Sequence, residues 1–115
     1  MGITNFDKKA SGGGAPGNPQ FWDIVEMDLD ASYATGGYDL SAGSTDRALL
    51  DAQIGSGRTI QAVVPLNFPG TTKHYPEWDD TNDKLKILVD ATKAEAANGA
   101  DLSSMADLRL LILSI

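Results

Sequence analysis

The feature that most constrains this chain is an alternation of apolar and polar residues with a period of two. It is clearest within residues 21–31, where apolar and acidic side chains take turns: Val25, Glu26, Met27, Asp28, Leu29 and Asp30. Successive side chains of a β-strand point to opposite faces of its sheet, so this pattern predicts a strand with one buried and one solvated face. The acidic residues then belong to the solvated face, which explains them better than a catalytic pair of carboxylates across a sugar cleft.

The same period predicts further strands. Two more segments, residues 58–65 and 84–90, place alternate apolar residues on one face: Ile60, Ala62 and Val64 in the first, and Leu85, Ile87 and Val89 in the second. The last segment, residues 108–115, is apolar on both faces, which is typical of a strand in the middle of a sheet or against another subunit.

Turn and helix signals separate these segments. One short helix is predicted within residues 44–54, with Ser44 or Thr45 as its cap and Gly55 as its stop. Residues 67–73 are expected to form a loop and residues 79–84 a turn between strands. Several short strands with turns between them predict an all-β fold, an antiparallel β-sandwich or a jelly-roll-like barrel with at most one short helix.

Residues 1–20 differ in composition from the rest. Glycine and proline dominate, and Ile3 and Phe6 are the only large hydrophobic residues besides Met1. Ordering a backbone costs roughly 1–2 kcal/mol per residue, which so few apolar groups cannot offset. The sequence therefore predicts a flexible N-terminal arm over residues 1–20, either ordered by a partner or without a role, and a single β-sandwich domain over residues 21–115.

Composition excludes several classes of function. Nine basic against sixteen acidic residues give a formal net charge of −7, which would repel nucleic acid and anionic membranes. No apolar run approaches the ~20 residues that span a bilayer, and no secretory signal precedes the first strand. We expect a soluble chain made in a cytoplasm, with no nucleic-acid or membrane partner. The absence of cysteine removes disulfides, thiolate metal sites and thiol nucleophiles.

Motifs for catalysis or cofactor binding are weak. His74 is the only histidine, and no Gly-x-Ser-x-Gly elbow accompanies it. Residues 79–83 offer carboxylate oxygens for calcium but lack the glycine and glutamate of an EF-hand loop. Residues 12–14 are glycines without the lysine of a phosphate-binding loop. We predict no enzyme activity, no cofactor and no metal, and keep as an alternative a carbohydrate- or calcium-binding module that uses Trp22, Trp78 and residues 79–83.

Aromatic and apolar residues near predicted turns, strand ends and the arm are the candidates for a partner interface. Such side chains either pack locally or anchor a partner. The candidates are Ile3, Phe6, Phe21, Trp22, Tyr33, Tyr38, Tyr75 and Trp78.

Three stretches, together about a third of the chain, resemble small structural proteins of tailed-phage virions. Residues 29–40 contain Tyr-Ala-Thr-Gly-Gly, residues 78–87 contain Trp-Asp-Asp-Thr-Asn-Asp-Lys-Leu-Lys, and residues 99–113 lead from Asp-Leu-Ser into the apolar closing segment. Their order matches that group. The sequence departs from the group's pattern at Trp78, where a tyrosine is usual, and at Asp83, where a glycine is common.

The resemblance implies a head decoration, or cement, protein. Such a protein is a β-rich domain, often a homotrimer, which is assembled in the host cytoplasm, sits on the capsid exterior and bridges subunits of the major capsid protein. It implies no catalytic residues. The acidic charge suits the outside of a shell better than its DNA-lined interior. A tail or neck adaptor of the virion is the alternative within the same class.

Overall fold

The computed structural model describes residues 3–14, 16–17, 19–69 and 74–115. Their helix and strands are β1 (Asn5–Gly13), β2 (Phe21–Asp28), β3 (Tyr38–Asp39), α1 (Thr45–Ile54), β4 (Ile60–Pro65), β5 (His74–Asp79), β6 (Lys84–Val89) and β7 (Leu108–Ser114). In this part of the chain the strands form a four-stranded sheet, β1-β2-β7-β4, and a three-stranded sheet, β3-β6-β5, with antiparallel neighbours. The predicted all-β, sandwich-like class with one short helix is confirmed.

The four-stranded sheet is built around β2 and β7. β7 lies between β2 and β4, which is the first of the two positions predicted from its apolar sequence, the middle of a sheet. Val25 and Met27 of β2 face the core opposite Leu110 and Leu108 of β7, and all four are fully buried. Full burial of such a side chain stabilises the fold by about 1.5–3 kcal/mol each, so this pair of strands anchors the sheet.

The three-stranded sheet closes the core from the other side. Leu85 and Ile87 of β6 are fully buried and belong to the same apolar cluster as the inner residues of β2 and β7. β5 was not predicted as a strand, because His74–Asp79 contains Pro76 and little alternation. The predicted turn after it is confirmed: the Asp79 carboxylate accepts hydrogen bonds from the backbone N–H groups of Thr81 (3.1 Å) and Asn82 (3.3 Å).

The prediction of a flexible arm over residues 1–20 is wrong for residues 3–13. β1 pairs with β2 along its length, and Phe6, which lies opposite Met27, is buried together with Ile3. A prediction from the composition of one segment leaves out the hydrogen bonds that a neighbouring strand supplies, here those from β2. Backbone pairing and two apolar anchors together offset the ordering entropy that the segment alone could not.

The predicted faces of β4 are also wrong after its first residue. The register with β7 shifts between Ile60 and Ala62, so Ile60 and Val63 point into the core while Val64 points out and is 42% exposed. An extra residue in one strand moves every later side chain to the opposite face. Alternation in the sequence cannot reveal such a bulge.

The helix α1 confirms its predicted signals. The Ser44 hydroxyl accepts a hydrogen bond from the backbone N–H of Arg47 (3.2 Å), and Gly55 ends the helix with a φ of 102°. The Arg47 guanidinium is buried, where it pairs with Asp51 at 2.8 Å and donates to the carbonyls of Leu40 and Arg58.

Candidate subunit-docking surface

The side of the four-stranded sheet that faces away from the core carries apolar residues on all four strands. We call this surface the apolar outer face; its residues are Ala10, Trp22, Ile24, Ala62, Val64, Leu111 and Leu113. They follow from the register, since each alternates with a core-facing neighbour on its strand. Trp22 lies opposite Leu113, and Ile24 lies opposite Leu111, so the face consists of rows that run across the strands.

Much of this face is open to solvent. Trp22 is 39% exposed and Val64 is 42% exposed, and the apolar pattern of β4 continues beyond the strand through Leu66 (46%) and Phe68 (65%). Single exposed hydrophobic residues are ordinary on protein surfaces, but a contiguous group marks a site of interaction. The apolar outer face is therefore the candidate site.

Gly12 makes room for the Trp22 ring on this face. A Cβ atom at position 12 would lie 2.5 Å from Trp22 Nε1, which is far inside van der Waals contact. The indole ring therefore lies across the backbone of β1. The glycine places a broad, flat aromatic surface on the sheet where a larger residue would displace it.

A charged row borders the apolar outer face. Arg109 donates a hydrogen bond to the Glu26 carboxylate, and Lys9 lies 3.4 Å from Glu26 and 2.8 Å from Asp7. The hydrogen bond from Arg109 holds the pKa of Glu26 below its usual range, and the hydrogen bond to Asp7 raises the pKa of Lys9. The charges of these two acids and two bases cancel, so the border carries no formal net charge, although the whole chain has a formal net charge of −7.

The two edges of this sheet are less suited to adding a further strand. The N–H of Leu66 donates to the carbonyl of Arg109 on β7, so Pro65, one residue earlier, has its nitrogen on the open side and offers no donor there. On the opposite edge, the N–H of Lys8 donates to the Gln53 side chain of α1 at 3.1 Å. Association through the sheet face is favoured over edge pairing at both points.

The outer side of the three-stranded sheet is polar by contrast. Lys86 lies opposite Glu77 and 3.6 Å from Asp79, and Lys84 lies opposite Asp79. Tyr75 on the same side is covered in part by the Lys93 ammonium, 5.5 Å from the ring centre. Apart from Leu88, which is buried, this surface is a solvated face of the usual kind.

Four of the eight predicted interface residues lie inside the fold. Ile3, Phe6, Tyr33 and Tyr38 are buried in the core cluster, so their assignment to a partner surface is wrong. The two tyrosine hydroxyls form hydrogen bonds inside the fold: Tyr33 donates to Glu95 at 2.5 Å and Tyr38 donates to Asp30 at 3.0 Å. Burial, and then these hydrogen bonds, raise the pKa of both tyrosines above the usual value.

Asp30 was predicted to lie on a solvated face and is buried instead. β2 ends at Asp28, so the alternation no longer decides the direction of Asp30. Its carboxylate accepts the Tyr38 hydroxyl, and its backbone carbonyl accepts the N–H of Leu102 at 3.1 Å. The Asp30 carboxylate is therefore a hydrogen-bond acceptor inside the core and is not part of the surface.

The other four predicted residues are divided between the two sheets. Trp22 lies on the apolar outer face, whereas Trp78 packs against the core and Tyr75 lies on the polar side. Phe21 packs under the Arg58 guanidinium, 3.8 Å from the ring centre. Only Trp22 thus belongs to the candidate surface.

Arg58 also pairs with a buried acid. Its guanidinium lies 3.0 Å from the Asp23 carboxylate, which faces the core from β2. Burial raises the pKa of Asp23, and the charge of Arg58 counteracts part of that rise. The pair closes the end of the core near Phe21 and is a structural contact.

The residues of this face that sequence reasoning missed are Ala10, Ile24, Ala62, Val64, Leu111 and Leu113. A signal for two of them was present, because Leu111 and Leu113 form the second apolar side of the closing segment. That double-sided pattern indicated either the middle of a sheet or contact with another subunit. The structure places β7 in the middle of its sheet and leaves Leu111 and Leu113 only partly buried.

The residues of the alternative carbohydrate- or calcium-binding module are not brought together. Trp22 and Trp78 lie on different sheets, and both carboxylate oxygens of Asp79 are engaged within the turn, Oδ2 accepting from the Asn82 amide at 2.9 Å. In the ranges that the structure describes, no three His, Asp or Glu side chains cluster as metal ligands do. No helix in those ranges is both long and apolar enough to cross a bilayer.

Comparisons of the chain with models of protein families, with curated proteins and with solved structures found no match.

Proposed function

We propose that this chain is a structural protein that acts by assembling with other protein subunits, and that the apolar outer face is its contact surface. The observation that carries the proposal is a row-by-row apolar surface on the central strands of a sheet, where Trp22, Ile24, Leu111 and Leu113 lie side by side. Covering such a surface removes apolar area from water, which stabilises an assembly by roughly 25 cal/mol per Å².

The setting we propose is the exterior of a tailed-phage capsid, where the chain would decorate and stabilise the shell by bridging subunits of the major capsid protein. The resemblance of residues 29–40, 78–87 and 99–113 to small virion proteins supports this setting. A net charge of −7 supports an outer rather than a DNA-facing position. Many weak contacts repeated around a shell add up to substantial cohesion without one strong site.

Mass spectrometry of purified particles tests the proposal. Particles from cells that express this chain would be purified on a density gradient, and heads and tails would then be separated. We expect the chain in the head fraction, in many copies per particle. Recovery with tails or necks would replace decoration by the adaptor role, and absence of the chain from all particle fractions would refute a virion role.

A matched pair of variants tests the contact surface in the same particles. Leu111→Lys puts a charge in the middle of the apolar outer face, whereas Tyr75→Lys adds the same charge on the outer side of the three-stranded sheet, where Tyr75 is partly exposed. We expect the first variant to lower incorporation by roughly tenfold or more, because an unpaired charge would be buried at the contact. The second variant should be incorporated normally once circular dichroism has shown that both are folded.

A further inference from the structure

We infer that the subunit covering the apolar outer face is a second copy of this chain, related to the first by a two-fold axis parallel to β2 and β7. The inference rests on the proposed function, because it takes the face to be a contact surface. It names the occupant and the orientation in which that occupant docks.

The rows of the face are self-complementary about such an axis. The axis runs parallel to the strands, midway between β2 and β7 and between the two packed sheets. Rotation by 180° about it keeps each row at the same position along the strands and places β2 of one copy over β7 of the other. Trp22 of one copy then meets Leu113 of the other, and Ile24 meets Leu111, because these residues already share rows within one chain. A contact in which the same patch serves both partners is the ordinary form of a two-fold dimer.

The charged border selects the same axis. Glu26 and Arg109 share a row, so the rotation brings Glu26 of each copy opposite Arg109 of the other. An axis perpendicular to the strands would instead lay the row of Trp22 on the row of Glu26, with apolar groups against charges. Unfavourable juxtapositions of that kind discriminate strongly between orientations.

Side-chain size is also matched between the outer strands. The rotation places β1 of one copy over β4 of the other, so Ala10 of one copy faces Val64 of the other in the same row. The small residue on one edge leaves room for the branched one on the other. Packed sheets need this interdigitation to reach their usual spacing of ~10 Å.

The area of the face sets the expected strength of the dimer. Four strands ~4.8 Å apart and about seven residues long give a surface of roughly 20 by 23 Å, so a dimer would remove on the order of 1,000 Å² of accessible surface. Stable interfaces bury ~1,200–2,000 Å². We therefore expect a dimer that forms readily at high concentration and dissociates on dilution.

The test uses charge reversals that complement one another across the axis. Glu26→Lys places a base opposite Arg109 within the chain, and Arg109→Glu places an acid opposite Glu26. Each variant alone would face like charges in a two-fold dimer, and we expect its dissociation constant to rise roughly tenfold or more. In a mixture of the two variants, unlike charges would face each other across the axis. Heterodimers should therefore form at concentrations at which neither variant forms a homodimer.

The measurements are sedimentation equilibrium over a concentration series and native mass spectrometry of the mixture. Wild-type chain should approach twice 12.1 kDa as concentration rises. Glu77→Lys and Lys86→Glu are the matched controls, because those residues also form a cross-strand pair, on the outer side of the three-stranded sheet. Neither control should change the dissociation constant, and mixing the two should have no effect.

Three results would overturn the inference: a wild-type chain that stays monomeric at all concentrations, a trimer such as the resemblance to decoration proteins implies, or homodimers of Glu26→Lys and Arg109→Glu that remain as strong as the wild type. Recovery of dimerisation in the mixture shows that both variants are folded. A monomer that is still incorporated into particles would end this inference and leave the proposed function standing. A dimer that is found in no particle would support this inference and refute the proposed virion role.

Discussion

The two outer surfaces of this sandwich-like fold are built by the same kind of strand and have opposite character. On the four-stranded sheet, Ile24 and Leu111 are neighbours across β2 and β7, whereas Glu77 and Lys86 hold the equivalent positions across β5 and β6. Both pairs cover the outside of a shared apolar core. The charged pair keeps its surface in water, while the apolar pair leaves a surface whose burial would remove apolar area from water. The outer residues of the strands, and not the fold, thus make one side of this molecule polar and the other apolar.

The largest expected effect separates the two faces of one strand. Leu110 and Leu111 are adjacent in β7, but Leu110 is fully buried and Leu111 is only partly so. We expect Leu110→Ala to lower the free energy of unfolding by about 2–5 kcal/mol and Leu111→Ala by about 1 kcal/mol or less. Urea unfolding at dilute protein concentration measures both. Equal losses would mean that the apolar outer face belongs to the monomer core.

A smaller effect concerns the aromatic rings that the fold keeps away from its surfaces. Burial raises the pKa of Tyr38, so above pH ~10 the unfolded chain releases a proton that the folded chain retains. The stability that Tyr38 contributes is complete below pH ~10 and declines as pH rises further, by about 1.4 kcal/mol per pH unit.

The variant Tyr38→Phe should remove that part of the slope. It also leaves the Asp30 carboxylate without its donor, so the slope of unfolding free energy between pH 10 and 11 is the quantity to compare, not its absolute value. Urea unfolding of both chains across this range provides the measurement. Parallel slopes would show that Tyr38 titrates alike in the folded and unfolded chains.

The smallest effect tests how the apolar outer face is shaped. Gly12→Ala would place a Cβ atom 2.5 Å from Trp22 Nε1, and the half-exposed ring would have to swing outward. We expect a loss of at most about 1 kcal/mol in the free energy of unfolding and a red-shifted tryptophan emission. Ser11→Ala, on the same strand, is the control. Unchanged emission in the glycine variant would show that Trp22 does not lie over β1.

Local patterns in the sequence predicted most of the strands and the helix, but they did not predict which strands pair or how their registers shift. The cap of α1 at Ser44 and the alternation of β2 depend on neighbours in the chain, so both could be predicted. The strand β1 could not, because its stability comes from pairing with β2. The bulge at Ile60 and Ala62 was equally invisible, and it is what turns Val64 outward.

The candidate site was predicted only in part for a related reason. Aromatic residues were selected because rings often anchor partners, yet Tyr33 and Tyr38 satisfy their hydroxyl groups inside the fold. Burial depends on which sheet covers a residue, and that is decided by topology. The apolar second side of the closing strand was the better signal, since Leu111 and Leu113 needed either a covering layer of this chain or another subunit.

Hydroxyl-radical footprinting read by mass spectrometry tests the central claim most directly. The chain would be labelled in dilute solution and again in its assembled state, and oxidation would be compared at Trp22, Leu111 and Leu113 and at Tyr75 on the polar side. We predict that assembly protects the first three residues by several fold and leaves Tyr75 unchanged. Protection of Tyr75 with Trp22 still open to oxidation would contradict the account.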